Sequence, residues 1–400
     1  MPADDRLTRF PIGAGVTLDE LETDPHPAHA RLRGAEPVSW LPVLGGWLVT
    51  SRELALQVMR DDATFTVDDP RFSTAQVIGP SMLSLDGDLH ARHRDPFARP
   101  FRLDAVRERF TTVVEDEVDG LLDAVAGAGR AELRRDLAGP LSVAMMVHAL
   151  GLEDTDPADA LGWYAAIVDA VTEITAGRDP GRSGADAFDS LRRSLAPALD
   201  RDPESSLVAA AAGAAGALAR SEVASNAGVL LFGGIETTDA MIANAFVRLL
   251  SDENARQLVT ADLSLVPAVV EESLRLEPAA AVIDRYATRD IELGGAPVRH
   301  GDLVRVSLAG ANRDPAVFAD PARFDVLRPN VRLQVAFAHG PHVCLGMHLA
   351  RLEAQIAVRR TLERLPGLRL AGAPPRVTGL VFRKPAAVDV AWDTAVTLPV

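Results

Sequence analysis

Between residues 103 and 122, apolar side chains fall at Leu103, Val106, Phe110, Val113, Val114, Val118, Leu121 and Leu122, with charged residues between them. That is the 3.6-residue repeat of a helix with one buried face. A helical repeat dominates from about 102 to 275. Within it, the stretch from Ser221 to about Leu250 stands apart, because Val229-Leu230-Leu231-Phe232-Gly233-Gly234-Ile235 is almost wholly apolar. It predicts a central, buried helix of roughly thirty residues, ~45 Å long at the usual rise. Each of its two glycines costs ~1 kcal/mol relative to alanine, which a buried helix tolerates where something large presses on its backbone. Glu236, Thr237 and Thr238 follow directly. Two readings stay open here: close helix packing with a polar kink, or a helix that faces a bound cofactor and leaves a groove for a substrate or small gas.

Strand-like pieces precede this body at Val38–Trp40 and Gly46–Thr50, with a helical stretch at Arg52–Arg60. After Pro278 short β-like runs return at Val282–Ile283, Ile291–Leu293 and Leu303–Leu308, punctuated by Gly294-Gly295 and Asn312–Pro315. A further helix over Gly346–Leu365 is stopped by Pro366-Gly367. Without βαβ alternation, a large helical body with small sheets reads as mostly α, or α+β. No repeat and no Gly/Ser linker marks a cut, so residues 1–400 are expected to form one domain.

Composition narrows the function. The chain is 48% hydrophobic and 24% charged, ample for a large core. Forty-one basic against 56 acidic residues leave a net charge of −15, which disfavours nucleic acid and anionic lipid as partners. The longest apolar run, Leu207 to Ala219, is too short to span a bilayer. Asp4, Asp5, Arg6 and Arg9 stand where a signal peptide needs an apolar core. A soluble, cytoplasmic protein is expected. Lys384 is the sole lysine and the other forty basic residues are arginine, an alanine- and arginine-rich bias typical of a high-GC bacterial genome. One cysteine, Cys344, excludes an internal disulfide and any multi-cysteine metal site.

That cysteine lies in Phe337-Ala338-His339-Gly340-Pro341-His342-Val343-Cys344-Leu345-Gly346, just before the last long helix. Glycines at 340 and 346 let the backbone turn and aim amides at the sulfur, as a buried thiolate requires. A lone cysteine is most often a buried structural residue, and the spacing decides against that. Phe337, Gly340, His342, Cys344 and Gly346 resemble the haem-binding loop of the cytochrome P-450 family. Further segments agree in order. Gly233-Gly234-Ile235-Glu236-Thr237-Thr238 is similar to the family's oxygen-activating motif, and Glu272-Ser273-Leu274-Arg275 to its Glu-x-x-Arg helix. Arg285 stands at the haem-propionate arginine, and His90 with Arg94 matches a propionate-binding His-x-x-x-Arg pair. Asn312–Pro315 and Pro321–Phe324 look like the meander. Ala338 and Ala322 depart from a common loop glycine and a usual acidic residue.

The resemblance covers roughly residue 20 to the C-terminus and implies the cytochrome P-450 fold, with haem b between the central helix and the cysteine-loop helix. It makes Cys344 the axial ligand of the iron, a strongly donating thiolate that favours O–O cleavage. His90, Arg94, Arg285 and His342 become donors to the two haem carboxylates, and Gly233, Phe337 and Gly346 line the cofactor. In isolation, His90 and Arg94 read better as part of a solvated basic face, and Glu272 with Arg275 as a surface ion pair. Alongside the cysteine loop, the latter become a buried network holding the meander. Glu236 and Thr237 are the expected catalytic pair, a hydroxyl beside O₂ with a carboxylate behind it as a proton relay. The competing reading of Thr237 is hydroxyl back-bonding that bends the helix.

The implied activity is insertion of one atom of O₂ into an apolar or amphipathic small molecule, with electrons from a separate ferredoxin or flavodoxin. The six arginines of Leu89–Arg109, against Asp95, Asp104 and Glu108, offer such a donor a basic patch. Val67–Leu85, Trp163–Asp179, Val282, Ile283 and Leu380–Phe382 are expected around the substrate. The rivals are a peroxide-driven haem-thiolate peroxygenase and a non-catalytic haem-binding protein.

Overall fold

The computed structural model describes residues 3–175, 178–214 and 218–394. The repeat at 103–122 forms a helix over Leu103–Val125, with Val106, Phe110, Val114, Val118 and Leu122 buried. The central helix spans Arg220–Ser251, 32 residues, or about 48 Å. It packs against helices Gly139–Leu150, Val266–Leu276 and Met347–Arg364, and these surfaces make the largest hydrophobic core. Its two glycines have different reasons. A Cβ on Gly234 would collide with the Met146 sulfur of a neighbouring helix, whereas one on Gly233 would meet nothing within 4 Å. Close helix packing and an open groove therefore occur side by side on one helix.

The expected small sheets are present. The largest has five strands in the order Val38–Leu41, Gly46–Val49, Leu303–Ser307, Val282–Ala287, Phe65–Thr66. Only the pair Gly46–Val49 with Leu303–Ser307 is parallel, Trp47 lying opposite Val304. Gly294 and Gly295 form the tight turn between Ile291–Leu293 and Ala296–Val298, at φ +55° and +82°, a conformation that favours glycine. The strand expected to reach Leu308 ends at Ser307, whose hydroxyl accepts from the Gly310 amide at 2.8 Å and starts the short helix Leu308–Ala311.

The helical region also contains a strand, Arg130–Glu132, that pairs with Asp389–Ala391. A three-residue strand without apolar alternation carries no local signal; its pairing partner lies some 260 residues away. Of the expected substrate region, Ala176 and Gly177 lie outside the described residues, as do residues 215–217 of the apolar run. Among the described residues, no helix is long and apolar enough to cross a membrane.

Candidate functional site

The cysteine loop closes on itself before the helix Met347–Arg364. The Cys344 amide donates to the Phe337 carbonyl at 2.8 Å, and the Val343 amide to that of Gly340 at 3.1 Å. Gly340 has φ +76°, and any side chain there would collide with the Met59 carbonyl. Ala338 also lies in the left-handed region, at φ +59°, where the family's glycine would be unstrained. Cys344 keeps an accessible face, yet the protein around it shields it from bulk water, and that desolvation pushes its thiol up. Working the other way are the amides of Gly346 and Met347, bonded to the sulfur, and the charges of Arg94 and Arg351. These groups stabilise negative charge on sulfur at the N-terminal end of an eighteen-residue helix. The Arg351 guanidinium lies 4.5 Å over the Phe337 ring and bonds Glu271.

A second group gathers from three distant segments. His90 and Arg94 lie one turn apart on helix Gly87–Ala98, and the His90 ring sits 4.3 Å from that of His342. Burial first, then the neighbouring His342 and Arg94, lower His90 to about 4, so it is neutral at pH 7. Its Nε2 is buried without a hydrogen-bond partner. Arg94 donates to the Val343 carbonyl at 2.6 Å, tying this helix to the cysteine loop. Arg285, 5% exposed, makes one hydrogen bond among the described residues, to the Asp284 carbonyl. His342 Nε2 meets Asp86 at 2.7 Å. Burial alone would raise the Asp86 carboxyl, but hydrogen bonds from His342, Thr66 and the Val67 amide hold it at about 2. Asp86 is a member of this cluster that sequence spacing did not single out.

The expected relay residues are adjacent in sequence but apart in bonding. Thr237 Oγ1 donates to the Gly233 carbonyl at 2.5 Å, the back-bond anticipated as its competing role. Glu236, 6% exposed, turns away from it. One of its carboxylate oxygens lies 2.8 Å from Lys384 Nζ, and the other accepts from the Tyr164 hydroxyl. Lys384 also reaches Asp239 at 3.3 Å, and Asp239 accepts from Arg134 Nε at 2.9 Å. Sequence reasoning missed Tyr164, Asp239 and Arg134 here. Asp239 alone had a signal, being one helical turn beyond Glu236 on the same face.

Behind the loop, Glu272 and Arg275 are both wholly buried and paired at 2.7 Å. Arg275 also donates to the carbonyls of Asn312, Pro321 and Arg323, the segments read as the meander. Arg328 joins as a second cation on Glu272, at 3.0 Å. Around the expected substrate region, Ile78 and Ile167 pack together with Trp163 and Phe188, and Phe232 meets Phe382 edge-on at 5.6 Å. Leu380 instead packs with the N-terminal cluster of Val16, Leu21 and Leu41.

The residues fit a haem. A sulfur with two amide donors and two nearby guanidiniums suits an axial thiolate. An orphaned His90 nitrogen beside Arg94 suits a carboxylate-bearing edge, and the bare face of Gly233 suits a flat group. A protein that binds haem through a cysteine thiolate is the class that fold and site define. The model of the family described as Cytochrome P450 matches residues 192–366. The chain is 35% identical to nocardicin C N-oxygenase of Nocardia uniformis subsp. tsuyamanensis, covering 96% of this chain and 98% of that one. It is also 35% identical to the cytochrome P450 monooxygenase PikC of Streptomyces venezuelae, covering 91% and 89%. The crystal structure of CalO2 matches at TM-score 0.86 and 28% identity, over 94% of this chain and 98% of that one. The chain belongs to the cytochrome P450 family. It is a haem-thiolate monooxygenase, an oxidoreductase that uses haem b and O₂ on a small-molecule substrate and draws electrons from redox partners.

Proposed function

We propose that residues 1–400 form one catalytic unit in which Cys344 ligates the haem iron. Phe337 and Gly346 would contact the cofactor beside the sulfur, Gly233 would line it from the central helix, and His90, Arg94, Arg285 and His342 would hold its carboxylates. The observation that carries this reading is the donor set on Cys344, two amides backed by Arg94 and Arg351. When bound, the haem supplies O₂ activation by two electrons, so that one oxygen atom enters the substrate and the other leaves as water. The chain's own residues then have separable tasks. Amides and guanidiniums hold negative charge on sulfur. His90 and Arg94 orient the cofactor through charge-assisted hydrogen bonds. Thr237 holds a proton on Oγ1, which it donates to the Gly233 carbonyl one turn earlier. Glu236 renews that proton when its carboxyl turns from Lys384 or Tyr164.

The electron donor is an acidic ferredoxin or flavodoxin that meets Arg99, Arg102 and Arg107, all exposed. Arg107 lies near enough to His348, on the cysteine-loop helix, to lower its proton affinity, so this basic surface borders the sulfur side. Electron transfer should slow as salt rises. Relatives' names carry nocardicin C and mycinamicin IV, and a bulky, partly apolar natural product is the substrate class proposed here, in a cytoplasmic setting.

The test is product formed per reductant consumed. Thr237→Ala should bind haem and substrate but release reducing equivalents as peroxide, with coupling falling by ~10²-fold or more, the scale of acid–base assistance. Glu236→Gln should slow the cycle. Unchanged coupling in Thr237→Ala would leave it a purely structural role. Peroxide alone sustaining fast wild-type turnover would favour the peroxygenase reading.

A further inference from the structure

We propose that a groove separate from the haem residues binds a phosphate dianion, free or carried on a small organic molecule. The groove lies where four segments distant in sequence meet. These are the N-terminal helix Pro25–Ala35, the last turn of the central helix, the chain after the Glu-x-x-Arg helix, and Pro374-Pro375-Arg376. Its volume is about 800 Å³, inside the range of roughly 300–1,000 Å³ usual for small-molecule sites. None of Cys344, His90, Arg94, Arg285 and His342 belongs to its wall.

Charge is the first argument. The wall carries five arginines against two acids, Asp24 and Glu277, an excess of positive charge on a chain whose net charge is −15. Burial lowers the proton affinity of His26 and His29 in the same wall, so at pH 7 the excess belongs to the arginines. Glu277 is already shared among Arg248 at 2.7 Å, Arg313 and Arg383 at 3.2 Å, and the His26 ring at 2.6 Å. One carboxylate cannot balance three guanidiniums. Asp24 accepts from the His26 amide and caps its helix.

Unspent donors are the second argument. Arg383 uses its donors on Glu277 and the carbonyls of Glu22, Val377 and Gly379. Arg33, in contrast, makes one hydrogen bond among the described residues, from Nη1 to the Gly310 carbonyl at 2.9 Å. Arg248 reaches Glu277 through Nη2, and its Nε has no partner. Arg376 is exposed and makes no hydrogen bond or ion pair among the described residues. Three guanidiniums with donors to spare, brought from three elements, suit a group that accepts on several oxygens at once. Pro374 and Pro375 restrict the backbone leading to Arg376, so less freedom is lost when it closes on an anion. Pro27, Val247 and Pro374 supply apolar wall for an organic remainder.

The test is calorimetric titration of the haem-loaded protein with inorganic phosphate, phenyl phosphate and benzoate at constant ionic strength. Both phosphates should bind and should raise the thermal unfolding midpoint as their concentration rises. Tighter binding of phenyl phosphate identifies an organic phosphate as the ligand; inorganic phosphate binding at least as tightly identifies the free ion. Arg33→Gln and Arg376→Gln should each weaken phosphate binding about threefold or more while keeping the carbon-monoxide band. Arg182→Gln removes an equal charge from a side chain that is 90% exposed and lies outside this wall, and should leave affinity unchanged. No phosphate binding, benzoate binding as tightly as the phosphates, or wild-type affinity in both Arg33→Gln and Arg376→Gln would overturn the proposal. So would an equal loss in Arg182→Gln, which would reduce the effect to general charge attraction.

Discussion

Arg275→Lys tests how the meander holds the cysteine loop. The substitution keeps the charge, but the guanidinium makes five hydrogen bonds: two to Glu272, at 2.7 and 2.8 Å, and one to each of the carbonyls of Asn312, Pro321 and Arg323. An ammonium has three donors on a shorter reach, so at least two of the five bonds are lost, although Arg328 still serves Glu272 and the Arg323 carbonyl. Each bond lost at this buried site costs about 1–3 kcal/mol, giving a loss of about 2–6 kcal/mol. For 400 residues, an unfolding entropy of ~2.1 cal/mol/K per residue converts this to a midpoint lower by about 2–7 °C. The assay is thermal unfolding of the haem-loaded protein followed at the haem band, with haem content measured after purification. Haem retention should fall too, because Asn312, which bonds Arg275 through its carbonyl, also accepts from the Val335 amide just before the loop. A midpoint within 1 °C of wild type and full haem content would refute the argument.

Cys344→Ser should abolish the carbon-monoxide band characteristic of thiolate-bound haem, since no other cysteine can replace it; an unchanged band would end the ligand assignment. Gly340→Ala places a side chain at φ +76° against the Met59 carbonyl, so it should lower stability by at least ~1–2 kcal/mol and impair haem loading, checked by the haem-to-protein ratio. Burial alone would raise the Glu277 carboxyl, but His26, Arg248 and Arg313 hold it well below the usual range. Its folded-state pKa being depressed, it contributes stability above its unfolded value of about 4.3, lost as pH falls toward the folded value. Denaturant unfolding from pH 7 downward should therefore show a shallower acid loss in Glu277→Gln. Glu353 has the opposite sign: full burial raises its carboxyl, one oxygen has no partner, and any ionised fraction is penalised as pH rises. Glu353→Gln should be more stable than wild type at pH 7, with the gain vanishing below pH 4, as read by the same titration.

What the chain determined by itself was local. The helix at 103–122 and the buried central helix follow from apolar spacing, and the turn at Gly294-Gly295 from residues that accept positive φ. The cysteine loop was legible because its donors lie within a few residues of the sulfur, so ligand geometry is written as sequence spacing. The Glu-x-x-Arg pair was legible as a pair, though its bonds to the meander carbonyls needed the fold. The direct partners of Glu236 were not legible. Its partners come from residues 164 and 384, and an ion pair between distant segments depends on where three separately folded elements meet. Adjacency suggested that Glu236 would back Thr237. On a helix, however, successive side chains diverge by about 100°, and the carboxylate went to the half-buried Lys384 while the hydroxyl found the carbonyl one turn behind it. Spacing can specify a loop that holds a metal; only tertiary packing decides which way a buried charge turns, because a desolvated carboxylate goes where its counter-charge is.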